Sequence, residues 1–279
     1  MKRFKLLETK TLELNDVAGK YQNFKTNNVA LITAFDAELV GEDGNKFQKK
    51  LVIANQHLYW NPEPPILKLM QGYSTFINAQ EFVKKYDCPF FFCGGSLSFL
   101  LFLLFFFKKK KQLFLIKYYY LDFNSSPDEP LYFKLKKKPL IEDQLSRLTL
   151  PPSTMMTQDD STLIPVNESD IKEFNLFVSS LLDNFETLPK LESAYSSYQL
   201  LISEGSEKSK HIEGDAEPLF TNFASWKGTI DYIFYPENQN IQLKEILKLP
   251  DQEIVASQTA LPNDIYASDH LCLVANFLL

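Results

Sequence analysis

The chain has only three cysteines in 279 residues, and Cys88, Cys93 and Cys272 stand at no spacing that a metal site uses. An odd, scattered set speaks against a disulfide framework, and the three read as reduced residues of an intracellular, cytoplasmic protein. Histidine is equally scarce, with three in the chain. No phosphate-binding loop, Rossmann glycine pattern, nucleophile elbow or zinc ligand set is present. The opening Met1–Glu8 lacks the apolar run of a secretory signal. Positive charge is also in short supply. A net charge of −6 argues against a protein that holds nucleic acid by a broad basic surface. It leaves open an enzyme that cuts nucleic acid with carboxylates gathered round a cation.

What is present suffices for a core, with 45% hydrophobic and 23% charged residues. From Phe4 to Val40 the chain is strand-like, and Val29–Val40 with Lys50–Leu58 predicts an antiparallel hairpin across the turn Gly41–Asn45. Ile66–Tyr86 has helical spacing. Phe90–Phe107 is almost purely apolar and is followed by Lys108–Lys111, which meets the criteria for a membrane span. Its low-complexity Phe, Leu, Lys and Tyr composition has no counterpart elsewhere in the chain. The stretches 146–170 and 203–217 read as flexible loops, and Ile171–Ser203 as two helical stretches broken near Pro189. Gly228–Tyr235, Ile254–Gln258 and Leu271–Phe277 read as strands. Strands at both ends with helices between them predict a layered α/β sandwich.

Four places carry polar residues where chemistry could sit, each with a plain structural alternative. His57 follows a strand, where a histidine is often only a satisfied polar group. Asp122 and Asn124 share one face of an extended segment, suited to orienting a water and binding a phosphate, or to an ordinary Asx turn. Asp231 stands in the apolar run Ile230–Tyr235, costly unless it meets a metal, a partner or a hydrogen-bond network. Asp269-His270 precedes the last strand. His211, among lysines and glutamates, reads as solvated surface.

In this order, the phrases Asn55-Gln56-His57-Leu58-Tyr59-Trp60-Asn61-Pro62, Asp122-Phe123-Asn124-Ser125, Phe220-Thr221-Asn222-Phe223, Lys227–Tyr235 and Ser268-Asp269-His270 resemble the endonuclease/exonuclease/phosphatase superfamily. They are most similar to its nocturnin and carbon-catabolite-repressor deadenylase branch, and to the fungal RNA exonucleases within it. The resemblance runs from about Phe4 to Leu279, Gly95–Leu121 excepted. It implies a four-layer α/β sandwich of two packed mixed sheets flanked by helices. It also implies a Mg²⁺-dependent 3′-to-5′ exonuclease acting on single-stranded RNA, often poly(A). Carried over, Asp122 activates the water and Asn124 contacts the phosphate. His270 donates to the phosphoryl oxygen, oriented by Asp269, while His57 contacts the phosphate and Asp231 supports the metal side. Pro62, Asn222 and Trp226 touch the terminal base, with Trp226 stacking on it.

Two departures stand out. The resemblance begins downstream of the family's Gln-Glu motif, whose glutamate is the principal Mg²⁺ ligand. Glu8, Glu13 and Glu38 do not replace it, and Asp122 and Asp269 are the remaining contributors. Loss of the family's opening strands would also leave one sheet with an open edge. The family's Cys-Gly-Asp-Phe-Asn-Ser is split here into Cys93-Gly94 and Asp122–Ser125, so residues 95–121 read as a non-native insertion, a translated intron. The expectation is therefore one partial domain over 1–279, inactive or impaired in activity. The alternatives are a phosphodiesterase of the same superfamily acting on a lipid headgroup, and a non-catalytic product anchored in a membrane by Phe90–Phe107.

Overall fold

The computed structural model describes residues 4–15, 26–40, 45–94, 114–117, 123–148, 155–156, 163–164, 167–202, 215–237, 241–257 and 259–279. The first half contributes β1 (Phe4–Glu13), β2 (Val29–Val40), β3 (Lys46–Gln56), α1 (Pro65–Tyr86), β4 (Phe90–Gly94) and β5 (Phe114–Lys117). The middle contributes α2 (Pro130–Leu135), α3 (Glu142–Arg147), the two-residue strands β6 (Met155–Met156) and β7 (Leu163–Ile164), α4 (Glu168–Glu186), β8 (Leu191–Ser193) and α5 (Tyr198–Ile202). The last part holds β9 (Asn222–Phe223), β10 (Lys227–Gly228), β11 (Ile233–Pro236), β12 (Gln242–Ile246), α6 (Gln252–Ala256) and β13 (Val274–Leu278).

The main sheet has the order β1-β2-β3-β4-β11-β8, and a second sheet the order β12-β13-β5. β2 and β3 form the expected hairpin, with Ala30 opposite Gln56 and Val40 opposite Lys46. β3 and β4 run parallel, from Val52 beside Phe90 to Gln56 beside Gly94. Side-chain alternation then sends successive residues to opposite faces. Val52, Ala54, Phe90 and Phe92 meet α1, α2 and α4 through Phe76, Leu131 and Phe174. Leu51, Ile53, Phe91 and Cys93 meet the second sheet through Leu273, Ala275 and Phe277. This is the α/β sandwich of two packed sheets with helices outside.

α1 begins with Pro65, whose missing N–H costs nothing in a first turn, and stops at Asp87 with a left-handed φ of 47°. α4 starts at a capping box, in which Asn167 accepts from the Asp170 amide at 3.0 Å and Asp170 accepts from the Asn167 amide at 3.2 Å. Three strand and helix expectations need correction. Between α4 and α5 the chain makes the short strand β8. Ile254 belongs to the helical turn α6, in which Val255 is the buried residue and Ile254 is half exposed. The run Gly228–Tyr235 breaks at Thr229–Tyr232, where side chains replace the ladder: Ile230 N donates to Thr221 Oγ1 at 3.0 Å, and Tyr232 Oη to Thr229 O at 3.2 Å.

Phe90 opens a buried strand, and no helix among the described residues is long and apolar enough to cross a membrane. Within the stretch read as an insertion, 114–117 pairs antiparallel with β13. Residues 95–113 and 118–122 lie outside the described set, as do His211 and most of 146–170. Of 203–217, the last three residues are described and fastened to α2. Lys136 and Lys138 pair with Asp215 at 2.9 and 2.7 Å, and Tyr132 Oη donates to Glu217 Oε1 at 2.7 Å. The cysteines are free thiols.

Two predictions follow from this packing. A Cβ at Gly94 would overlap Phe123 Cα and Cβ, so Gly94→Ala should lower stability by roughly 1–3 kcal/mol in urea unfolding. Glu217 is buried, which pushes its carboxyl up from 4.5 to about 7. A raised folded-state pKa contributes stability that is complete below the unfolded value and lost as pH climbs through about 7. Relative to Glu217→Gln, the parent should lose on the order of 3 kcal/mol between pH 4.5 and 7; a flat difference across that window in pH-dependent urea melts would contradict it.

Candidate active site

The site lies where β3 and β4 end and β11 begins. Asp231 has a fully buried side chain, and His270 is only 10% exposed beside it. His270 Nδ1 is 3.1 and 3.0 Å from the two carboxylate oxygens of Asp231. A buried carboxylate in so apolar a run is tolerable because it meets this ring. The histidine is delivered by an antiparallel bridge to Asn222, flanked by Leu271 N to Thr221 O at 2.7 Å and Phe223 N to Asp269 O at 3.1 Å. Asn222 itself is buried.

Asn124 is tied in from the other side. Phe123 N donates to Ile230 O at 2.8 Å, next to Asp231. Asn124 takes a left-handed φ of 56°, which short polar residues tolerate better than most. Its Nδ2 donates to Leu58 O at 3.1 Å, immediately beyond His57. The half-buried His57 is braced in turn, its carbonyl accepting from Asn28 Nδ2 at 2.9 Å. An unbroken run of hydrogen bonds and chain neighbours thus links His57, Asn124, Asp231, His270 and Asn222.

The remaining candidates are more peripheral. Trp226 is 50% exposed at the tip of the β9–β10 hairpin, its ring lying so close over Gly228 that a Cβ there would overlap it. Pro62 is exposed in the turn before α1, just after Tyr59 and Trp60, whose rings meet tilted at 6.0 Å. Asp269 faces solvent, and its carboxylate is 3.4 Å from the Ser268 hydroxyl. The carboxylate on His270 is therefore Asp231, not Asp269. The deciding signal was Asp231's burial in an apolar run, since a sequence neighbour such as Asp269 points the opposite way along an extended strand.

The described residues do not by themselves make a magnesium site. Among them no three His, Cys, Asp or Glu side chains gather, Asp231 is engaged by His270, and Asp122 lies outside the described set. Glu8 is held by Lys85 and Tyr86, each at 2.6 Å, and Glu38 by Lys46 at 2.7 Å, all away from the site. Asn55 Oδ1 and both amide atoms of Gln56 are buried at the end of β3 without a hydrogen-bond partner. Neutral amides alone are poor anchors for a hard dication that takes about six oxygens. Sequence reasoning missed these two amides. It also missed the buried ion pair Lys68–Glu129, whose signal is a lysine among the apolar residues on the inner face of α1.

No protein-family model matches the chain. Carbon catabolite repressor protein 4 homolog 1 of Arabidopsis thaliana is 35% identical over 91 residues, 31% of this chain and 15% of that protein. A probable CCR4-Not complex 3′-5′-exoribonuclease subunit Ccr4 of Vairimorpha ceranae is 24% identical over 256 residues, 91% of this chain and 36% of that protein. The chain thus spans well under half the length of these curated relatives. Among solved structures, ANGEL2, a 2′,3′-cyclic phosphatase, superposes with a TM-score of 0.58 at 20% identity, covering 99% of this chain and 67% of that one. These sequence relatives and fold neighbours are consistent with the endonuclease/exonuclease/phosphatase superfamily, and within it the chain is similar to the carbon-catabolite-repressor branch.

Proposed function

We propose that the chain is a phosphodiester hydrolase of the RNA 3′-to-5′ exonuclease type, requiring Mg²⁺ and releasing nucleoside monophosphates from single-stranded RNA. The observation that carries the reading is the buried Asp231 carboxylate on His270 Nδ1, with Asn124 reaching the same strand ends. A carboxylate on one ring nitrogen fixes the tautomer. It also stabilises the charge that builds as the other nitrogen donates to a phosphoryl oxygen. The Asn124 amide and His57 would hold the phosphate. The exposed indole of Trp226, with Pro62 and Asn222, would receive the terminal base by stacking, which is tolerant of base identity. Asp122 would act on the attacking water.

We further propose that residues 95–121 are an insertion into one motif. In its support, Gly94 and Phe123 lie in contact across that stretch as sequence neighbours of a turn would. Metal ligands must then come from outside the described residues, and the rate of this chain should be low.

End-labelled oligo(A) incubated with Mg²⁺ tests the reading. His270→Ala and Asp231→Ala should each lower monophosphate release by roughly 10²-fold, the usual cost of losing one such donor. Release equal to that of His270→Ala would sink it. Opening of 2′,3′-cyclic ends, or release of lipid headgroups, in place of shortening would move the chain to another branch of the superfamily.

A further inference from the structure

Lys68 and Glu129 form an ion pair whose side chains are 3% and 6% exposed. The ammonium donates to both carboxylate oxygens, at 2.9 and 3.1 Å. Removing two charges from water costs more than their attraction usually returns, and an apolar pair of similar volume commonly holds two elements together at least as well. Glu129 stands at the N-cap position of α2 yet makes no side-chain cap bond. Its carboxylate goes to α1 instead. Burial raises this carboxyl above its ordinary value, and the Lys68 ammonium opposes that rise.

The location of the pair suggests what it does. α1 follows the segment His57–Pro64, and one turn beyond Lys68 the Gln71 side chain accepts from Tyr59 N at 3.0 Å. The start of α1 is therefore fastened to the His57 segment. α2 follows the turn Asn124–Asp128. That turn is held by Glu129 N to Ser126 O at 3.0 Å and by Gln144 Nε2 to Asp128 O at 2.7 Å. In front, the two segments meet through Asn124 Nδ2 and Leu58 O. Behind, they meet through Lys68 and Glu129. Asn124 keeps its left-handed backbone between these two ties, and such a conformation persists only where the surroundings hold it.

We propose that Lys68 and Glu129 are positioning residues, whose ion pair sets the spacing between the His57 segment and the Asn124 turn and so aims the Asn124 amide at the phosphate. This deepens the hydrolase reading and rests on the part that reading gives Asn124.

The test uses the full chain labelled with ¹⁵N. It reads the chemical shift and solvent-exchange rate of the Asn124 side-chain amide, identified by its absence in Asn124→Asp. The double variant Lys68→Met/Glu129→Leu should unfold at or above the parent's temperature while the Asn124 amide shifts and exchanges at least tenfold faster. Lys68→Arg, which keeps charge and reach, should preserve the parent signal. Should the double variant fail to fold, Glu129→Gln serves, with at least threefold faster exchange expected. An unchanged Asn124 amide in either folded variant overturns the proposal. Oligo(A) hydrolysis on the same samples separates the two readings. A loosened amide in a parent that releases no monophosphate sinks the hydrolase reading alone. In a parent that hydrolyses, kcat should fall at least tenfold with KM within about threefold; equal losses in both, or none, count against positioning.

Discussion

Phe123 packs against the bare backbone of Gly94, and the arrangement of the site depends on that contact. The two residues are far apart in sequence, yet no side chain fits between them. The ring of Phe123 completes an aromatic cluster on the helical face of the main sheet. It meets Phe92 edge-on at 5.4 Å, Tyr232 edge-on at 5.7 Å and Phe234 at 5.6 Å. Such contacts are worth roughly 0.5–1.5 kcal/mol each beyond the burial of area. With Phe123 seated, its amide reaches Ile230 O and the next residue, Asn124, emerges at the strand ends where Asp231 and His57 already are. An apolar contact thus determines where a polar group points.

The polar groups at this end of the molecule follow a different economy. Glu217, the Lys68–Glu129 pair and the Asp231–His270 pair are all deeply buried. Replacing such pairs with matched apolar groups is commonly neutral or stabilising by about 1–4 kcal/mol, whereas removing one member costs about 3–5 kcal/mol. Their value is directional. Tyr132 Oη on Glu217 and the lysines on Asp215 fix the stretch that leads into Thr221 and Asn222. Lys68 fixes the turn that leads out of Asn124. α2 therefore links both polar arms of the site, one from each end, with its tyrosine buried between them.

The periodicity of the chain made α1, β1, β2 and β3 legible, because a helix stripe or an alternating strand repeats often enough to be read. α6 was misread as a strand because two adjacent β-branched residues in a five-residue element carry no period at all. The superfamily was legible from ordered phrases around His57, Asn124, Asp231 and His270. The pairing among those residues was not. Asp269 is the sequence neighbour of His270 but faces solvent, and Asp231 arrives from the segment just before β11, 39 residues away. Lys68 shows locally as a lysine on the apolar face of α1, but its partner Glu129, 61 residues on, leaves no local pattern.

The Asp231–His270 pair also has a mechanical meaning. Asp231 runs into β11 of the main sheet, whereas His270 runs into β13 of the second. The pair therefore spans the two sheets at the end of the core formed by Phe91, Ile233, Leu273 and Phe277. Stacked sheets keep a spacing of about 10 Å only while their facing side chains interdigitate. Bonds of 3.0–3.1 Å at the rim tolerate little change in that spacing. A cavity in the inter-sheet core that lets the two sheets shift would therefore change the His270–Asp231 distance. The geometry of the site and inter-sheet packing are in this molecule one constraint: what fills the core sets the distance across which the His270 ring meets Asp231.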